Sequence, residues 1–236
     1  SPCICDQSRP GSRTDAAGSI RAMTQITVSG LGVERAPAER ATVVVQTNAR
    51  ASHPEEAIRV AAEAHRAIAE QARAFVEGGQ AERWHADRVW VSHQEQWVGD
   101  GKRRDLVFDA AASVHVTFVD FEALGTWIGS VATRPVHQVG GIQWSLSDET
   151  RHALGAKARA EAIADAQRKA ADFAAAAGLS SPRAASIREG GADEPVRFKA
   201  QPMAATMRGS AVADTSIALE GSDIEVTSEV TVEFQA

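Results

Sequence analysis

The side chains able to hold a metal ion or move a proton are few, and the most suggestive of them fall in one stretch. His85, Asp87 and His93 lie in a segment whose alternation is that of a β-strand, and His115 lies in the next such segment. His85 and His93 would share a face of one strand, but about 26 Å apart at roughly 3.3 Å per residue, too far for one ion. If the hairpin between the two strands turns about Asp100, however, His85 comes opposite His115, with Asp87 two residues along on the same face. Two imidazoles and a carboxylate could hold zinc or form a pH-sensitive patch. The plainer alternative is three solvent-facing side chains with no ligand.

Other reaction chemistry finds no support. There is no Gly-x-Ser-x-Gly elbow to present a nucleophile, Gly30-Leu31-Gly32 lacks the third glycine of a dinucleotide loop, and no Gly-Lys-Ser/Thr phosphate loop occurs. No catalytic residue, and no cofactor, is expected. Cys3 and Cys5, the only cysteines, sit in a polar leader, which leaves the folded part without disulfide or thiolate chemistry. Trp84, Trp90, Trp97, Trp127 and Trp144, in a chain without tyrosine, could line a pocket or simply pack in the core and at sheet edges. Met203 and Met207 could make an adaptable apolar contact from a long loop.

These residues need a scaffold, and its elements follow from periodicity. Ile26 to Gly30 alternates as a strand, with Gly30 and Gly32 marking a bend or bulge, and Ala41 to Arg50 is a second strand rich in Val and Thr. Ser52-His53-Pro54-Glu55 has the form of a capping box. The helix behind it turns Ala57, Ile58, Ala61, Ala64, Ile68, Ala72, Phe75 and Val76 to one face and stops at Gly78-Gly79. Strands from Trp84 to Trp97 and from Asp105 to Val119 form a hairpin through Gly99-Asp100-Gly101, a tip that also accounts for the basic run Lys102-Arg103-Arg104. Asp120 caps a short helix built on Phe121, Leu124, Ile128 and Val131, and a strand follows from His137 to Leu146.

Ser147 caps a long helix that ends at Gly178 and carries Leu154, Ala158, Ala162, Ala166, Ala170, Phe173, Ala174 and Ala177 inward. Such an alanine face packs closely, either within the chain or as a seam between copies. A short strand at 183–188, a loop at 190–221 and an alternating last strand from Ile224 to Phe234 complete the order ββαββαβαββ. The class is α+β, antiparallel sheets packed with helices.

The bulk numbers agree. Of 236 residues, 44% are hydrophobic and 24% charged, as in ordinary folded proteins. The net charge is −6, and because the first 22 residues carry +1 the remainder carries −7, which speaks against nucleic acid as a partner. No apolar run reaches a membrane span and no secretory signal is visible, so the expected location is cytoplasmic. Residues 1–22 are expected to be a disordered leader or an artificial remnant, and 23–236 the folded domain. A homo-oligomer or a protein partner is the expected association.

The element order, with the residues at its joints, resembles the SIMPL-domain family of bacterial proteins. The likeness rests on Ile26-Thr27-Val28-Ser29-Gly30 with Pro37-Ala38-Glu39-Arg40-Ala41, on Pro54-Glu55-Glu56-Ala57, on Val139 to Asp148, and on the alanine-rich stretch from Ala158 to Leu179. This chain departs from the family in having no tyrosine, and Gln94-Glu95-Gln96-Trp97 stands where a Pro-x-Tyr element is common. The resemblance implies a non-enzymatic protein that acts through self-assembly or protein binding. Many members are periplasmic or envelope-associated, and some are linked to oxidative-stress tolerance or, in an animal case, to signalling through a kinase. A small-molecule or metal-binding domain is the other reading.

Overall fold

In the computed structural model, residues 23–87, 89–98, 103–190 and 218–236 are described. The leader, the hairpin turn and most of the loop at 190–221, with Met203 and Met207, lie outside the described residues. The elements are β1 (Gln25–Pro37), β2 (Arg40–Ala51), α1 (Pro54–Glu77), β3 (Ala81–Ala86), β4 (Trp90–Val98) and β5 (Arg103–Phe118), followed by α2 (Phe121–Ala132), β6 (His137–Ser145), α3 (Asp148–Ala176), β7 (Arg183–Glu189) and β8 (Asp223–Gln235). The class is α+β as expected. One expected strand, from Trp84 to Trp97, is instead two, β3 and β4, so the order is ββαβββαβαββ.

The strands form two antiparallel sheets. One has the order β1-β8-β7; the other has β3-β5-β2-β6, with β4 continuing β3 along the same edge of β5. Helices α1 and α2 cover one face of the larger sheet. There Val43 and Val45 of β2 and Val114, Val116 and Phe118 of β5 meet Ile68, Ala72, Leu124, Trp127 and Ile128. Phe75, Phe118 and Trp127 form an aromatic triangle at its centre, with centroid separations of 5.1 to 5.7 Å. The opposite face of that sheet, carrying Thr42, Gln46, Asn48, Ser113 and His115, is partly open to solvent among the described residues.

The smaller sheet is covered by α3, and the contact is unusually close. An added Cβ on Gly30 would stand 1.9 Å from the Ala162 carbonyl oxygen, and one on Gly32 would stand 1.9 Å from that of Ala158. The glycines therefore do not bend β1, whose register on β8 is unbroken from Gln25 to Pro37; they remove side chains so that the helix backbone fits. Ala158, Ala162, Ala166 and Ala170 are fully buried against them, so the alanine seam is taken up within the chain. Phe173, expected inward, is 61% exposed, because Ala170 and Ala174 hold the inward positions of that turn.

Close approach brings a polar flank of α3 along the outer edge of β1. The backbone amides of Leu31 and Val33 donate to Asp165 Oδ2 (3.1 Å) and Glu161 Oε2 (3.0 Å), and Lys169 Nζ donates to the Ser29 carbonyl (2.9 Å). Side chains four residues apart on the helix thus satisfy alternate residues on the strand. This edge is closed to further strands.

The two sheets join where β1 passes into β2. Glu39 accepts from the Ser147 amide (2.7 Å) and the Thr150 hydroxyl (2.6 Å), fixing the start of α3, whose N-cap Ser147 accepts from the Thr150 amide. Asp120 caps α2 as expected, accepting from Glu122 and Ala123. The expected capping box of α1 is absent: the N-cap is His53 with no side-chain cap. Pro54 accounts for this, since a residue before proline is driven to extended backbone, which moves the boundary one residue past Ser52.

Two outcomes follow from this packing. Gly32→Ala should lower stability by about 2 kcal/mol or more, as overpacking against backbone does, whereas Gly141→Ala, with open space at its Cβ, should be close to neutral; urea midpoints at constant slope read the difference. Hydrogen bonds from Ser147 and Thr150 hold the Glu39 carboxyl below its ordinary 4.5, and Lys169 with the Leu31 amide holds Asp165 below 3.8. Both carboxyls are depressed in the native state. Their stabilisation is therefore complete above those values and is lost as pH falls through the lower native ones. Asp165→Asn should flatten stability against pH in strong acid while leaving its shape near neutrality unchanged.

Candidate functional site

Strand β5 is longer than its inner neighbour. β2 pairs with it only from Phe108 to Phe118, so from Arg103 to Val107 its sole described partner is β4, from Val98↔Arg103 to Gln94↔Val107. The end of the hairpin is thus a two-stranded ribbon extending past the sheet. Its length is legible in the sequence as the excess of the 105–119 alternation over that of 41–50.

Between β3 and β4 the register slips by one residue. Ala86 pairs with Val114 and Trp90 with Ala111, so the three residues 87–89 stand against two of β5. A slip of one reverses every later side chain. Trp84 and Trp97 consequently share the helix side and Trp90 takes the open side, where unbroken alternation would pair Trp84 with Trp90. His93 likewise leaves the face of His85. Sequence reasoning misses this because nothing in the composition of 87–89 marks a bulge.

The slip also accounts for the histidines. The β4 register is centred between residues 100 and 101, and continued unchanged it would set His85 against Val116. With the extra residue, His85 pairs with His115 as expected. Their rings stack with centroids 4.4 Å apart and planes 11° from parallel. Asp87, whose amide donates to the Ser113 carbonyl, turns its carboxylate to His115, with Oδ2 and Nε2 2.9 Å apart. One donor atom from each of His85, Asp87 and His115 lies within 4.8 Å of the others. The structure brings together all three residues singled out from sequence.

A second polar group lies on the same open face at the root of the ribbon. Arg50 Nε donates to Asp109 Oδ1 (2.6 Å) and Gln94 Nε2 donates to Oδ2 (3.0 Å), tying β2, β5 and β4 together. Arg50 holds the Asp109 carboxyl below its ordinary range. With Trp90 these residues line a hollow of about 470 Å³. Sequence reading did not find this group, because its members come from three strands.

On the helix side the end of the hairpin carries Val91, Trp97, Leu106 and Phe108, interspersed with His93 and Glu95. Val91, Trp97 and Leu106 are 40%, 56% and 46% exposed, and Phe108 is half-buried where the cover of α1 ends. Trp84, Trp127 and Trp144 by contrast belong to the core or pack against it. A further cleft, of about 660 Å³, lies beside α1 and α2 and is walled by Phe75, Trp127, Gln71 and Arg134. His137 at its floor is buried, which, with the nearby Arg134, lowers its pKa and favours the neutral ring.

Residues 26–234 match the SIMPL family, which carries the description "Protein of unknown function (DUF541)". No curated protein matches the chain. Among the described residues, no helix is long and apolar enough to cross a membrane.

Proposed function

The chain belongs to the SIMPL family, and from that footing we propose that it is a non-enzymatic protein that assembles with copies of itself through the β4–β5 ribbon. The observation that carries this reading is a ribbon only two strands wide that exposes Trp97 and Leu106 on one side. Isolated pairs of strands are marginal in water and need a third strand or a covering surface. Trp97 and Leu106 on the ribbon, with Val91 at its root, supply apolar area for one. The non-enzymatic part is supported by the sequence, which offers neither a nucleophile elbow nor a nucleotide loop.

A second copy is the occupant favoured by the edge itself. From Trp90 to Val98, β4 contains no lysine and no proline, the residues that commonly blunt an edge strand. Two such edges related by a two-fold axis are complementary without any further adaptation. The β1 edge, by contrast, is occupied by α3.

Light scattering over a range of concentrations should give a mass above that of one chain. Trp97→Glu with Leu106→Glu should return it to the single-chain mass with thermal unfolding unchanged, both sites being outside the core. A single-chain mass throughout for the unaltered protein, or no effect of the double substitution, would rule the reading out.

The cleft beside α1 and α2 supports a second reading, a site for a small aromatic acid, with Phe75 and Trp127 against the ring and Arg134 near the charge. A thermal-shift screen of such acids should then find a saturable shift that Thr126→Trp abolishes by filling the mouth. A screen without hits ends that reading.

A further inference from the structure

We propose that His85, Asp87 and His115 form a site for a late divalent transition metal ion, of the zinc or copper kind, built entirely by one chain. The site lies on the open face of the larger sheet, opposite the side of the ribbon that carries Trp97 and Leu106, and has no part in the assembly proposed above.

The ligand set fits that class of ion. Two neutral imidazoles and one carboxylate suit borderline ions such as zinc and copper(II), and leave a fourth position for water. Their placement is backbone-determined for both histidines, which stand directly opposite each other in register. Asp87 is carried by the segment in which the register slips, and its amide remains paired to the Ser113 carbonyl. All three are reached from solvent: His85 and Asp87 are exposed and His115 is partly so.

The remaining adjustment is small. Donor atoms within 4.8 Å of one another must close toward the spacing set by bonds of about 2.0–2.2 Å to a common ion. Lone pairs of imidazole nitrogens lie in the ring plane, so rings 11° from parallel do not aim at one point. Rotation of one ring about its Cβ–Cγ bond makes them converge. In the metal-free pair His115 Nε2 and Asp87 Oδ2 lie within hydrogen-bond distance, 2.9 Å apart. An ion that takes both atoms replaces this hydrogen bond.

The test is calorimetric titration of the full chain, in a Cys3→Ser/Cys5→Ser background that removes the leader thiols, with zinc chloride and separately with copper chloride. One ion per chain is expected, with ring signals of His85 and His115 shifting by NMR on zinc addition and with the mass in light scattering unchanged. His85→Ala and His115→Ala should each weaken binding roughly tenfold or more, against intact thermal unfolding of the metal-free protein. No heat with either metal, undiminished binding by the His85→Ala/Asp87→Ala/His115→Ala variant, or one ion per two chains would each overturn the proposal. Because His53, His65, His93, His137 and His152 are unchanged in that triple variant, binding through them is read directly as the second of these outcomes.

Discussion

The structure turns on the contact between two backbones, the strand at Gly30 and Gly32 and the helix at Ala158 and Ala162. Dispersion and apolar burial need surfaces in contact, and alanine on glycine gives contact at the smallest separation that side chains permit. The polar consequences then follow from distance alone. Only a helix this near can reach past the strand with Glu161, Asp165 and Lys169 and occupy the outward groups of Val33, Leu31 and Ser29. The surface ion pairs Arg35–Glu225 and Arg188–Glu233 across the other face of this sheet contribute little by comparison, about 0–1 kcal/mol each.

The same helix ties the smaller sheet to the larger one. Its first turn is held by Glu39, in the short link between β1 and β2, and Leu146, Leu154, Ile224 and Val226 fill the space behind the link. Two of the segments that carried the family resemblance, Pro37 to Ala41 and Val139 to Asp148, therefore meet in space. They mark a joint rather than a reaction centre. The polar groups outside it, at His85 and His115 and at Arg50 and Asp109, stand on the open face of one sheet.

Much of this was legible in the residues, and the exceptions have physical causes. Periodicity and caps located nine of the eleven elements singly and merged the other two, β3 and β4, because alternation in Asp105 to Val119 and the caps at Asp120 and Ser147 are local signals. Ser52 misled because the constraint imposed by Pro54 on its predecessor outweighs the preference of serine for a cap. Gly30 and Gly32 read locally as a bend, while their role is set by a helix more than a hundred residues away. Phe173 and Ile58 sit at the margins of their helical faces, where a rotation of one position decides burial. The pairing of His85 with His115 was reached from a turn centred half a residue away, and the slip at 87–89 supplied the correction.

That slip has a bearing on how such a protein can change. β3 is held in the larger sheet by Ala81, which is buried, and by Trp84 against the core, and from Trp90 onward the facing of β4 depends on the count of residues in between. Gain or loss of a single codon in this segment would turn β4 over against β5, exchanging the side chains it shows on the two sides while those of β5 stay where they are. A lineage could thereby present a new surface in one genetic step.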